Sequence, residues 1–499
     1  MTSDPAVRKS GDDLADLAKG GRTNVFGFLL RLAARIPFLF IAGRFYGAEA
    51  LGRFAFAILI IEFAAQLATL GLKRGLAQQL AKEERPDAHV VWDGLLIAGV
   101  ASALAAGVLA LFPHVMFPNS SINGLEQLLP LIIFAIAWSD VSLAALAYRH
   151  DVGATVRARA IVEPWTISIA AFALYYYSPR DGLILSYAMS LIAALVASIV
   201  PLVRTYGLPV AWHPRPVQLF AIARRNMPLA AADAIEWGTR NIDRAILGLF
   251  FNDAVVGVYW VAQQIATLPQ KLKTSFDPIL GPVITQNLEA GNKAAVAAQI
   301  RQVGFWIIAA QAGIALALSI PGEAVMGLAG AKFVGGTGAL AFLLAAEVVA
   351  ATAVVSESAL VYIARHRNFM LSLATIVLQV ILSIALILIA RELDLPMIVQ
   401  AAGPAVALPL ALAFASVTKA RLASRLLGAP VSGWRWALIW AAAAAAVVGF
   451  AVTSLPRSLE WVELGIGVPA ILLSYGLVIW YKGFTDADRV LFRMKSKPA

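Results

Sequence analysis

The chain has 499 residues, of which 60% are hydrophobic and only 14% charged. A water-soluble chain carries about a quarter charged residues, so lipid must solvate much of this one. The net charge of +10 sits in short basic clusters between apolar stretches, a layout that orients a membrane protein and argues against a nucleic-acid partner. Cysteine is absent, which excludes disulfides, thiolate metal sites, a cysteine nucleophile and cysteine lipidation.

Residues 1–23 are polar, carry Asp4, Asp12, Asp13 and Asp16, and lack the basic-then-apolar layout of a cleaved leader. They are expected to form a cytoplasmic tail, with the first apolar segment retained as a membrane helix. At about 20 apolar residues per crossing, fourteen spans follow. They are 24–45, 54–72, 91–112, 127–148, 160–178, 183–203, 226–251, 254–270, 302–320, 338–362, 369–390, 396–418, 435–454 and 461–481. The eighth is the weakest, interrupted by Gln263, Gln264 and Pro269. The fold class is therefore an all-α polytopic membrane protein.

The loops set the orientation. With the N-terminus inside, the alternate segments expected in the cytoplasm hold 29 Lys and Arg, and the outer segments hold 6: Arg44, Arg53, Arg180, Lys332, Arg391 and Arg457. A wrong span count would scramble this alternation, so both termini are expected inside a bacterial inner membrane. The outer loops are short, the longest near 113–126, which leaves no room for an external catalytic domain.

An internal repeat organises the spans. Gly43, Phe45, Gly52 and Ala57 fall on Gly248, Phe250, Gly257 and Ala262 at a gap-free offset of 205, with Phe54 on Tyr259. That offset contains six spans, an even number, so the copies point the same way, as in parallel repeats of secondary transporters. Two ordinary helix–turn–helix units would read similarly. The expected lobes are 24–204 and 226–418, joined by a cytoplasmic linker at 205–225. Two additional helices at 435–481 and a cytoplasmic tail at 482–499 follow.

The stretch from Arg31 through Phe45-Tyr-Gly-Ala-Glu-Ala-Leu-Gly52 to Thr69-Leu-Gly-Leu72 resembles the opening of polysaccharide flippases of the multidrug/oligosaccharidyl-lipid/polysaccharide (MOP) exporter superfamily. Asp243-Arg-Ala-Ile-Leu-Gly-Leu-Phe250 with Gly257-Val-Tyr259 is similar to the start of their second half, and Phe333-Val-Gly-Gly336 to a loop they carry. The resemblance runs through nearly the whole chain. It implies a V-shaped pair of six-helix bundles around a central cavity. The superfamily includes O-antigen and exopolysaccharide unit flippases, peptidoglycan-precursor flippases and drug extruders.

Charges inside spans carry the chemistry, because each costs about 2.5–3.5 kcal/mol at mid-bilayer and so faces water or protein. The first span holds Arg31 and Arg35. The seventh holds Asp233, Glu236, Arg240, Asp243 and Arg244. Arg31/Arg35 and Arg240/Arg244 are each spaced i, i+4, and Arg35 falls on Arg240 under the repeat. Guanidinium matches phosphate oxygens, so these four arginines are the candidate substrate-binding residues for the diphosphate of a lipid-linked sugar. Arg244 can equally pair with Asp243 or Glu236 inside the lobe, and Glu236 is spaced to neutralise Arg240. Glu62, Glu163, Glu347 and Glu357, with Asp140, are membrane-depth acids, candidates either for ion coupling or for arginine pairing.

No Walker-type loop, metal-ligand spacing or catalytic acid pair is found, so no cofactor, metal or enzyme activity is expected. Tyr175 to Tyr177, Trp434 and Trp436 read as interfacial anchors. The expected function is translocation of an undecaprenyl-diphosphate-linked oligosaccharide, an O-antigen or exopolysaccharide unit, by alternating access. The alternatives are a peptidoglycan-precursor flippase and an ion-coupled drug exporter. Membrane lipids, the lipid-linked oligosaccharide, a polysaccharide polymerase and glycosyltransferases are the candidate partners.

Overall fold

The computed structural model describes residues 36–81, 85–120, 124–149, 151–274, 284, 287–288, 291–454, 460–485 and 488. Arg31 and Arg35 lie outside the described residues. Regular structure among the described residues is entirely helical. The principal helices of the first part are α1 (Gly47–Ala68), α2 (Leu72–Leu80), α3 (Asp87–Leu111), α4 (Ile132–Tyr148), α5 (Glu163–Tyr175), α6 (Gly182–Tyr206) and α7 (Pro216–Phe250). They continue as α8 (Asp253–Thr274), α9 (Lys293–Ser319), α10 (Thr337–Ile363), α11 (Arg365–Glu392), α12 (Gly403–Leu427), α13 (Ala437–Thr453) and α14 (Val468–Val478).

Nine helical stretches among the described residues are long and apolar enough to cross a membrane, and α13 is a shorter apolar helix. The protein is therefore a multi-pass membrane protein. α5 has only 13 residues but continues a π-helical stretch, Val156–Val162. α7 runs for 35 residues and carries the five charges between Asp233 and Arg244. It starts on Pro216, whose fixed φ suits the first helical position. Exposed Tyr176, Tyr177, Trp434 and Trp436 sit at or near helix ends, the placement interfacial anchors require.

The described residues form two compact units, one ending at Trp260 and the other beginning at Val261, so the division falls within α8. In the unit ending at Trp260, α4 packs against α1, α2, α3 and α6, and α7 lies on α1, α2 and α3. The ring of Phe63 on α1 meets Trp237 on α7 at 5.0 Å.

The crossing of α1 with the first turns of α8 is unusually close. A β-carbon on Gly52 would lie 1.6 Å from the Asp253 carbonyl oxygen, and one on Gly257 would lie 2.0 Å from that of Ala48. Small residues let helix backbones approach in this way in membranes. The contact is reciprocal under the offset of 205, since Ala48 falls on Asp253 as Gly52 falls on Gly257.

In the unit beginning at Val261, α10 lies between α9 and α12, α11 packs on α12, and α13 and α14 pack on each other and on α9. Phe305, Ile308, Leu360, Ala441, Ile471 and Tyr475 share its core. Asp488 pins the chain end after α14. Its carboxylate accepts from Arg435 Nη1 at 2.7 Å, Trp306 Nε1 at 2.8 Å and the Thr485 amide at 2.8 Å, and also from the Thr485 hydroxyl. Burial alone would raise the Asp488 carboxyl; the hydrogen bonds from Arg435 and Thr485 outweigh it and hold the group well below the usual range.

Asp488→Ala should lower the unfolding midpoint of the purified protein, at a cost of about 2 kcal/mol for the orphaned donors. A depressed carboxyl contributes fully above its unfolded value of about 4 and is lost only as pH falls through the folded value. The gap between wild type and variant should therefore stay constant from neutral pH upward. A gap that opened or closed between neutral and alkaline pH would show that Asp488 is not ionised as drawn.

Candidate functional site

The site begins at a turn. The chain leaves α1 at Thr69, and Leu70 and Gly71 adopt left-handed φ values of 47° and 71°. Gly71 also packs tightly, since a β-carbon there would lie 2.7 Å from the Asn226 carbonyl oxygen of α7. Glycine is the residue that meets both demands without strain. The turn delivers Lys73 and Arg74 from the start of α2.

Asp233, Glu236 and Arg240 are spaced three and four residues apart and so share one face of α7. Arg74 Nη2 reaches Asp233 Oδ1 at 3.1 Å and Glu236 Oε2 at 3.0 Å, and Arg240 Nη2 reaches Glu236 Oε1 at 2.8 Å. The side chains of Arg74, Glu236 and Arg240 are 55%, 52% and 41% exposed, whereas that of Asp233 is 4% exposed. Asp233 Oδ2 is buried and finds no hydrogen-bond partner among the described residues. These contacts join two guanidiniums and two carboxylates, with Arg74, Glu236 and Arg240 about half exposed and Asp233 buried behind them.

A second charged network lies on α1, α2, α4 and the π-helical stretch before α5. Lys73 Nζ contacts Asp140 Oδ2 at 2.5 Å and donates to Gln66 Oε1 at 2.7 Å. Arg159 donates to Asp140 and to Glu163, the latter at 2.6 Å. The π-helical stretch Val156–Val162 widens the helix at Arg159. Tyr187 donates to Glu62 at 3.2 Å.

The sequence-derived residues divide accordingly. Arg240 stands partly exposed beside Glu236. Arg244 is buried, with Nη2 donating to Asn241 Oδ1 at 3.1 Å and its backbone N–H to Asp243 Oδ1 at 2.8 Å. Asp243 also accepts from the Tyr259 hydroxyl at 2.5 Å. Glu62 and Glu163 belong to the second network. Glu357 accepts from Lys419 at 2.9 Å and from Asn368 at 3.3 Å in the other unit, and Glu347 is partly buried on α10.

Sequence reasoning missed Arg74 and Lys73, counting both as loop charges. The available signal was the segment Leu72–Leu80, which is amphipathic at helical period and is a helix.

The family model for polysaccharide biosynthesis proteins matches residues 41–318. No curated protein sequence matches the chain. Among solved structures, the lipid II flippase MurJ in an inward closed conformation has a TM-score of 0.67 at 11% identity, covering 94% of this chain and 100% of that one. An inward-facing MATE family multidrug resistance transporter of the MOP superfamily has a TM-score of 0.60 at 14% identity, covering 80% and 98%. A MOP superfamily transporter from Pyrococcus furiosus has 0.57 at 13% identity, covering 83% and 96%. These low identities establish a shared fold. The family model, spanning more than half of the chain, places it in the polysaccharide biosynthesis protein family, and the solved structures give it the fold of the MOP superfamily.

Proposed function

We propose that the protein is a flippase that carries an undecaprenyl-diphosphate-linked oligosaccharide, an O-antigen or exopolysaccharide unit, across the bacterial inner membrane by alternating access. In this reading the chain makes fourteen crossings, with both termini cytoplasmic and two parallel six-helix repeats. The reciprocal contact of Gly52 and Gly257 supports the repeat.

One observation carries the substrate class. Two guanidiniums, Arg74 on the short helix α2 and Arg240 on α7, stand partly exposed around Glu236. Arg240 lies within the expected seventh span, where charge is hard to hold unless it meets an anion or water, and a diphosphate is the part of a lipid-linked sugar most in need of such partners. Arg31 and Arg35 on the first span, outside the described residues, stay candidates for the same diphosphate from the sequence. Arg244 supports α7 from within.

The direct test is binding. Arg74→Ala and Arg240→Ala should each weaken binding of a lipid-linked sugar diphosphate about tenfold or more, since a charge-assisted hydrogen bond contributes roughly 1.5–3 kcal/mol. Surface polysaccharide should fall while membrane abundance holds. Wild-type affinity in both variants would remove the diphosphate from this cluster.

A peptidoglycan-precursor flippase is the second reading, favoured by the full coverage of MurJ. Its substrate carries the same diphosphate, so the two are told apart by the sugar that competes for binding.

A further inference from the structure

The guanidiniums that would hold a substrate anion are already held. Arg74 uses one nitrogen, Nη2, on both Asp233 and Glu236, and Arg240 lies on Glu236. An arriving diphosphate must therefore displace carboxylates. The two carboxylates differ in what displacement does to them. Glu236 is about half exposed, so water can take the place of the arginines. Asp233 is closed off, and its second oxygen is buried without a hydrogen-bond partner among the described residues. Left without Arg74, an ionised Asp233 would keep only the charge of Lys73, which is shared with Asp140, and proteins relieve so weakly compensated a buried carboxylate by neutralising the group.

Resting on the flippase reading, we propose that the lipid diphosphate binds by ion exchange at Arg74 and that Asp233 takes up one proton as Arg74 leaves it. The proton comes from bulk water and is held on the Asp233 carboxyl while the substrate is bound. Substrate and proton thus load together, and the cluster that binds the anion also senses pH. In the empty site Arg74 and Arg240 are ordered by Asp233 and Glu236.

The surrounding titratable groups do not substitute for Asp233. On α2, Lys73 is engaged by Asp140 and Gln66. On α1, Glu62 accepts from Tyr187, and on α3, Asp93 accepts from Arg85 at 2.5 Å and from Trp212 at 2.8 Å. On α7 itself, Arg240 is on Glu236 and Asp243 accepts from Tyr259. Arg74 is thus the cation in direct contact whose departure changes the charge balance at Asp233, while Lys73 acts on it through space from its pairing with Asp140.

The test is calorimetry on the full-length protein in nanodiscs, titrated with an undecaprenyl-diphosphate-linked sugar. Its diphosphate is esterified at both ends and does not titrate near neutral pH. Binding enthalpies in two buffers of different ionisation heat give the proton count. The expected count is about one proton per lipid, with affinity falling about tenfold for each unit of rising pH while free Asp233 is ionised. Asp233→Asn should bind with no proton uptake and no such slope. Tight binding by wild type with no uptake, or undiminished uptake by Asp233→Asn, overturns the exchange and leaves the flippase reading standing. No binding at any pH overturns both. Should Asp233→Asn fail to fold, the wild-type proton count decides alone.

Discussion

Gly52→Ala should lower both thermal stability and membrane abundance, although it adds a single methyl group. Its β-carbon would fall 1.6 Å from the Asp253 carbonyl oxygen, and the nearby atoms are backbone rather than a flexible side-chain end. The helices must separate, and overpacking of this kind costs about 1–3 kcal/mol. Gly257→Ala presses the same crossing from the other side, 2.0 Å from the Ala48 carbonyl oxygen. Since both changes force one displacement, the double variant should be less destabilised than the two effects added. Gly107→Ala on α3 is the control. Its β-carbon would meet nothing within 4 Å, and removing glycine from a helix interior stabilises by up to about 1 kcal/mol. Opposite signs at Gly52 and Gly107 are the expected result, read from unfolding midpoints of the purified proteins. Equal midpoints would mean that α1 and α8 do not cross at these glycines.

The same pair of glycines shows what the sequence made legible. Gly52 and Gly257 were picked out by an offset, and the structure brings them into reciprocal contact. Long apolar spans were legible because a continuous apolar run of about 20 residues is a one-dimensional signal. Site partners were not. Arg74 reads as a loop charge by its neighbours in sequence, and only the left-handed turn at Leu70 and Gly71 swings it onto α7, 159 and 162 positions before Asp233 and Glu236. The i, i+4 relation of Glu236 and Arg240 was readable and is present, whereas the burial of Arg244 was one of two open readings. A membrane-depth acid looks the same in sequence whether it moves an ion or holds a helix. Glu163, Asp140 and Glu357 are each found against a cation, which favours the holding role for them.

Asp140 should be the acid least tolerant of neutralisation. It receives Lys73 from α2 and Arg159 from the π-helical stretch before α5, and its side chain is 15% exposed. With Glu163 on Arg159, the side chains in direct ion pairs are Lys73, Arg159, Asp140 and Glu163, two cations and two anions. Asp140→Asn keeps the shape and leaves one positive charge in excess among packed helices, a change that costs about 3–5 kcal/mol when a buried pair loses one partner. Loss of most folded protein from the membrane is expected. Removing a cation as well should restore part of it, because adding Arg159→Gln to Asp140→Asn leaves Lys73 and Glu163 to balance. The double variant should then be more abundant and melt higher than Asp140→Asn alone, a non-additivity that independent sites do not show. An ion-coupling role predicts the opposite pattern: Asp140→Asn would fold at wild-type level and fail only in transport, and Arg159→Gln would bring no recovery. Abundance and unfolding midpoint of the three variants, set beside surface polysaccharide, therefore separate a charge that holds α2, α4 and α5 together from one that moves an ion.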